Sequence, residues 1–244
     1  MGDAPGPLID PAEAPDWLRR LVAATTDLDR EAFPRRAVDI TEGRPAAVLM
    51  LFTEDAGEPE VLLLRRADSL GSHAGQVAFP GGGAEQEDDG PVQTAMREAT
   101  EEVGVRPEGV TPLALFPSLP VPVSGFMVTP VLAYWHEPCA VAPVDPGETA
   151  RVARVPIAAL TDPANRFRVH HPSGYTGPAF AVSGLLVWGF TAGLLSGLLD
   201  LAGWSQPWDA NDVRDLDRAT EAVRNGWSNR HAGHGTGDGT EVGA

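Results

Sequence analysis

FPGGGAEQEDDGPVQTAMREATEEVGV, residues 79–105, runs from a cluster of glycines into a segment that carries acids on one side. Glu98, Glu101 and Glu102 stand at i, i+3 and i+4, a spacing that puts their Cβ atoms roughly 5–6 Å apart on one helix face. Like charges so placed destabilise a bare helix. A cation relieves that repulsion, and oxygen-only ligands suit a hard divalent ion, Mg²⁺ or Mn²⁺, better than zinc.

The same stretch carries its own boundaries. Asp88 and Asp89 are good N-cap residues, and Pro91 suits a first turn, where its missing N–H costs nothing. Val92, Ala95, Met96, Ala99 and Val103 recur at helical spacing and define the buried face, leaving the glutamates on the other side. Gly104 supplies a left-handed C-terminus. Arg97 lies four residues before Glu101, within pairing distance on a helix.

Outward from this helix, aliphatic and β-branched runs bounded by polar turns predict strands over 46–52, 61–65, 110–116, 126–135, 151–156 and 166–170. Trp17, Leu18, Leu21 and Val22 predict an N-terminal helical extension within 13–33 that packs on the domain. Residues 179–199 carry no formal charge and are long enough to cross a bilayer. Four glycines interrupt the run and no basic cluster flanks it, so it reads as a buried strand through Val187 and Trp188, a turn near Gly189 and a core helix. Val213, Leu216, Ala219 and Val223 predict one short amphipathic helix, and HAGHGTGDGTEVGA, 231–244, reads as a disordered tail. The division expected is an N-terminal helical extension over 1–42, one folded domain over 43–204 and a C-terminal extension over 205–244, largely disordered tail.

The chain has 244 residues, with 18 basic against 34 acidic and a net charge of −16. That balance argues against a nucleic-acid grip, which rests on phosphate neutralisation by Lys and Arg. A single cysteine, Cys139, rules out an internal disulfide and fits a cytoplasmic setting; the acidic, proline-rich start lacks the pattern of a signal peptide.

REATEEVG, residues 97–104, resembles the core of the Nudix box, G-x5-E-x7-R-E-U-x-E-E-x-G-U with U aliphatic. Counting back makes Gly83 the first glycine and puts Asp89 at the isolated acid position. Alternatively Gly82 is that glycine, one residue is inserted, and Glu85 or Asp88 supplies the acid. LLLRRADSLGSHAGQVAFPGG, residues 62–82, looks like the signature of the coenzyme A pyrophosphatase branch: Leu63, Leu64, Arg65 or Arg66, Gly75, Phe79, Pro80, Gly81 and Gly82, with Gly71 at a usually basic position. PGETARVARVPIAAL, 146–160, and LVWGFTAGLL, 186–195, are similar to the same branch.

The resemblance implies an α/β/α sandwich around a mixed sheet and a Mg²⁺- or Mn²⁺-dependent hydrolase. Glu98 and Glu102 would be the main metal ligands, Glu101 a ligand or base, and Asp89 a further ligand. Arg97 would orient a glutamate, and Glu148 is either an additional catalytic acid or a plain loop carboxylate. Arg65, Arg66, His73, Gly81 and Gly82 would meet substrate. The substrate implied is coenzyme A or acyl-CoA, cleaved to adenosine 3′,5′-bisphosphate and a phosphopantetheine fragment. The alternatives are NADH, ADP-ribose or a nucleotide sugar, or a Nudix-like binding module without catalysis. A homodimer, no membrane and no nucleic-acid partner complete the expectation.

Overall fold

A computed structural model describes residues 4–28, 43–71 and 73–232, with side chains omitted for 227–232. In chain order the elements are β1 (Gly6–Pro7), α1 (Asp16–Ala24), β2 (Arg44–Asp55), β3 (Glu58–Arg66), β4 (Val77–Ala78), β5 (Gly81–Gly83) and α2 (Pro91–Val103). They continue with β6 (Val110–Leu115), β7 (Leu119–Val121), β8 (Phe126–Trp135), β9 (Thr149–Pro156) and α3 (Ile157–Thr161). The remainder are β10 (Arg166–His170), β11 (Thr176–Val182), β12 (Leu185–Val187), α4 (Gly189–Ala202), β13 (Val213–Asp215) and α5 (Leu216–Ala232).

One mixed sheet runs β1-β6-β8-β2-β3-β4, with β5 on β2, β7 on β8 and β9 on β3. Its centre is the parallel pair β2 and β8, in register from Arg44 opposite Phe126 to Phe52 opposite Tyr134. Successive side chains on a strand point to opposite faces, and here both faces are apolar. Ala47, Leu49 and Leu51 of β2, with Leu62 and Leu64 of β3, join Ala95, Ala99 and Val103 of α2 in one buried cluster. Met50 and Phe52, with Val61 and Leu63, join Leu18, Leu21 and Val22 of α1 and the leucines of α4 in another. The sheet is therefore sandwiched between helices, as the fold class required. The described part of 1–42 belongs to this core, since Leu18, Leu21 and Val22 are fully buried in it.

A second sheet, β12-β11-β10-β13, packs Phe167, Val169, Ala179 and Leu186 against Leu216 and Ala219 of α5. Residues 179–199 divide as their glycines suggested, into β11, a turn with positive φ at Ser183 and Gly184, β12, and α4 from Gly189. No helix among the described residues is long and apolar enough to cross a membrane.

Three expectations change. Val213 lies on β13, parallel to β10, not on a helix. The helix after it spans 17 residues and takes in His231, so the C-terminal segment through Ala232 is folded chain rather than tail. His234 and the rest of 233–244 lie outside the described residues, as do 29–33 of the expected N-terminal helix. Finally, α2 begins at a Gly90 N-cap with φ 128° and no side-chain cap, so neither Asp88 nor Asp89 caps it. Pro91 is in its first turn and Gly104 ends it with φ 75°, both as expected.

Candidate active site

The glycine run is a strand rather than a loop. Gly81, Gly82 and Gly83 pair antiparallel with Val48, Ala47 and Ala46 of β2. Gly81 has φ 157°, and a Cβ there would run into the Ala47 carbonyl oxygen with Val48 Cα 2.7 Å away. Both obstacles are backbone, so only glycine fits. At Gly82 a Cβ would meet the Glu98 carboxylate, with Oε2 at 2.7 Å. The absence of side chains on β5 is what lets the acidic face of α2 close on the strand.

Two glutamates occupy that contact. Glu102, its side chain 9% exposed, receives the Gly81 N–H at Oε2 over 3.0 Å and lies 3.7 Å through Oε1 from Arg66 Nη1. Burial pushes its carboxyl up to about 7; the Gly81 N–H and Arg66 oppose the rise, while the charges of Glu98 and Glu148 add to it. Glu98, 17% exposed, is also raised by burial, an effect that Arg97 partly offsets. Desolvation disfavours the charged form of a carboxyl, so this pair ionises at a cost that a nearby cation would remove.

Arg97 is the hub. Its Nε and Nη2 donate to Oδ1 and Oδ2 of Asp88 at 3.2 and 3.1 Å, Nη2 also to the Gly83 carbonyl at 2.9 Å, and Nη1 to Glu98 and Glu101 at 3.1 Å each. Asp88 further accepts from Thr94 Oγ1 and the Glu85 N–H, both at 2.9 Å. The Arg97 guanidinium, more than any other cause, holds the Asp88 carboxyl down at about 2, and Asp88 in turn raises Arg97.

The expected site residues are therefore only partly together. Glu98, Glu102, Arg97, Arg66, Gly81 and Gly82 meet at the β5–α2 contact. Glu101 pairs with Arg97 and is 58% exposed. Asp89 does not join: it is exposed, and its N–H donates to Gln93 Oε1 at 2.7 Å. Of the acids open for that position, Asp88 receives two hydrogen bonds from Arg97 and Glu85 Oε1 lies 3.7 Å from Arg97 Nη1. Glu148 is an exposed loop residue whose carbonyl accepts the Ala67 N–H at 2.8 Å, with its charge felt at Glu102. His73, at φ 55°, bonds Gln76 Oε1 through Nδ1 at 2.8 Å, and Arg65 pairs with Asp68. Arg151, opposite Arg65 on β9, and Arg224, 3.4 Å from Asp68, carry no local sequence signal. A cavity of about 510 Å³, lined by Phe167, Arg214, Arg218 and Val223 among others, sits on the second sheet and includes none of these acids.

The donor set fits a hard divalent cation: carboxylate oxygens of Glu98 and Glu102, both desolvated, with Glu101 on the same helix. No three acidic, histidine or cysteine side chains are already gathered as ligands among the described residues. The physical reason is Arg97, which draws Glu98 and Glu101 to itself while Gly81 and Arg66 hold Glu102.

A NUDIX domain model matches residues 43–173. An uncharacterised Nudix hydrolase NudL of Cronobacter sakazakii is 37% identical over 159 residues, covering 62% of this chain and 79% of that protein. A NudL of Pectobacterium atrosepticum is 54% identical over 74 residues, 30% of this chain and 38% of that one. The mitochondrial Nudix hydrolase 15 of Arabidopsis thaliana is 32% identical over 167 residues, 62% of this chain and 56% of that one. Among solved structures, the Nudix hydrolase RenU of M. smegmatis aligns with a TM-score of 0.46 at 21% identity, over 68% of this chain and 89% of its own. With its family model spanning 43–173 and the box helix seated on the glycine strand, the chain belongs to the Nudix family.

Proposed function

We propose that this Nudix chain hydrolyses the phosphoanhydride of a nucleoside diphosphate linked to a second moiety, with coenzyme A or acyl-CoA as substrate and Mg²⁺ or Mn²⁺ as cofactor. The observation that carries the reading is the pair of desolvated carboxylates, Glu98 and Glu102, pressed against the side-chain-free strand at Gly81 and Gly82. Those two residues would hold the cation, with Glu101 as third donor or as base. Bound there, a divalent ion neutralises phosphate oxygens and lowers the pKa of attacking water.

The chain's own groups supply the rest. Glu101, exposed and paired among the described residues with Arg97, is the carboxylate assigned here to take a proton from water on leaving that partner. Glu148, exposed beside Glu102, is a second candidate for that proton. Arg97 orients Glu98 and keeps α2 on β5 through the Gly83 carbonyl. Arg66 presents a guanidinium next to Glu102, where it can meet a phosphate oxygen as well as the carboxylate. Water adds to one phosphorus, the bridging P–O bond breaks, and two phosphomonoesters leave: adenosine 3′,5′-bisphosphate and (acyl-)phosphopantetheine.

Support for coenzyme A comes from the 62–82 signature, whose residues span β3, β4 and β5 and lead from Arg66 to Gly82. Its lone thiol, Cys139, suits the reducing cytoplasm in which the enzyme is proposed to act. The test is incubation of purified protein and Mg²⁺ or Mn²⁺ with coenzyme A, NADH, ADP-ribose and nucleotide sugars, following products by chromatography. Coenzyme A cleavage to the bisphosphate is expected. Preference for a sugar nucleotide would remove coenzyme A, and tight binding of one compound with turnover of none would make the chain a binding module.

A further inference from the structure

Leu62 and Leu64 of β3 face α2, so Arg66, next in that alternation, emerges on the same side of the sheet, where its Nη1 lies 3.7 Å from Glu102 Oε1. The neighbouring strand β9 pairs with it out of step. Val152 stands opposite Leu64 and Arg151 opposite Arg65, but the next pair is Arg66 with Thr149, so Ala150 is passed over as the extra residue of a bulge. Plain alternation would have set Ala150 across from Arg66. The bulge sets a hydroxyl there instead, and bulges beside active sites commonly re-aim a side chain in this way. Thr149 is 1% exposed, whereas Ala150 faces solvent.

Two polar atoms are left over at this pair. Arg66 Nε and Thr149 Oγ1 are both buried, and neither has a hydrogen-bond partner among the described residues. Buried polar groups in folded proteins are almost always hydrogen-bonded. An arginine Nε–H can only donate and a threonine hydroxyl can accept, so the two atoms are chemical complements on directly opposed residues, a spacing that a direct hydrogen bond or one bridging water closes. Thr149 is itself fixed: its N–H donates to the Asp145 carbonyl at 2.9 Å, and the Glu148 carbonyl before it accepts the Ala67 N–H at 2.8 Å. The Arg66 side chain is not. Its contact with Glu102 is an ion pair longer than a hydrogen bond, which attracts the guanidinium without setting its plane. A guanidinium meets phosphate through a rigid planar fork of N–H groups, so the direction of that plane decides whether the fork fits.

We propose that Thr149 is a positioning residue for Arg66: its Oγ1 accepts from Arg66 Nε–H, directly or through one water, and turns the two Nη groups toward the diphosphate. This role rests on the diphosphate hydrolysis proposed above and adds to it a buried hydroxyl that meets the substrate only through Arg66. It also gives the β9 bulge a part in substrate recognition.

The Arg66 Nε–H resonance reads the contact without reference to turnover. In isotope-labelled wild type that signal, identified by its loss in Arg66→Lys, should exchange with water ~10-fold or more slowly compared with Thr149→Val, which keeps the side-chain shape and removes the hydroxyl. Thr149→Ser should recover the protection. With coenzyme A as substrate, Thr149→Val should raise KM by ~10-fold, the scale of one hydrogen bond to a charged group, with kcat changed by about twofold at most. Thr149→Ser should restore most of the KM. In an Arg66→Lys background, which has no Nε–H, Thr149→Val should change KM no further, a coupling that a packing defect would not show. Thermal melts establish that each variant folds; should Thr149→Val not fold, Thr149→Ala against Thr149→Ser gives the same comparison. An Arg66 Nε–H that exchanges as fast in wild type as in the variant lacking the hydroxyl, or a KM rise of equal size in both backgrounds, overturns the proposal. If no substrate is turned over, calorimetry with ADP and Mg²⁺ takes the place of KM. A protected resonance with ADP affinity weakened in Thr149→Val would then sink the hydrolase reading and leave the positioning role standing, whereas unchanged ADP affinity would make the contact structural and overturn it.

Discussion

Arg97 holds Asp88 by two parallel hydrogen bonds, Nε to Oδ1 at 3.2 Å and Nη2 to Oδ2 at 3.1 Å, and the Asp88 side chain is only 3% exposed. This bidentate contact fastens the turn at 85–88 to the middle of α2, one helical turn before Glu101. The arginine that gathers the glutamates is thus itself fixed by an acid outside the helix.

Asp88→Asn should lower stability by roughly 1.5–3 kcal/mol, the usual worth of hydrogen bonds to charged groups, and should loosen Glu98 and Glu101. Urea unfolding and turnover measured together check this. Loss of stability without loss of activity would make the contact purely structural, whereas Asp89→Asn should leave both within error because Asp89 is exposed.

Acid sensitivity should follow Asp88. Its carboxyl sits at about 2 in the folded chain against an ordinary 3.8. A lowered pKa means the unfolded state binds the proton first, so the stabilisation is present above about pH 4 and is lost as pH falls from there toward 2. In Asp88→Asn that part of the pH–stability curve should flatten.

Glu102 should act in the opposite sense. With its carboxyl raised from 4.5 to about 7, the folded metal-free protein binds a proton that the unfolded chain has already released. Stability of the metal-free protein should therefore decline as pH rises from about 4.5 to 7 and level off above. Glu102→Gln should remove that decline while turnover falls by orders of magnitude, because an amide is a poorer ligand for a hard cation. Differential scanning fluorimetry with and without Mg²⁺ reads both: the wild-type Tm should rise on adding the ion and the variant's should not. Equal activity in wild type and variant would refute the role assigned to Glu102.

The two glycines on β5 should separate stability from chemistry. Gly81→Ala drives a Cβ into β2 backbone at φ 157° and should cost about 1–3 kcal/mol or more. Gly82→Ala meets the movable end of Glu98, so it should cost less stability and proportionally more turnover. Chemical denaturation and kcat on the same preparations distinguish them.

Much of this was legible in the residues themselves. Helix α2, its buried Ala95, Ala99 and Val103, its glycine end and the shared face of Glu98 and Glu102 follow from 3.6-residue periodicity, which is local and needs no partner. The strand at 126–135 and the break of the charge-free run at Gly189 follow likewise from alternation and turn residues. Tertiary structure decided the rest. GGG became a strand only because β2 offers it hydrogen bonds. Asp88 rather than Asp89 met Arg97 because the turn before α2 aims one carboxylate inward and the other out. Arg224 reached Asp68 across 156 residues because α5 packs beside β10 and β12. Such pairings depend on where distant backbone segments come to rest, and no local pattern of side chains encodes that.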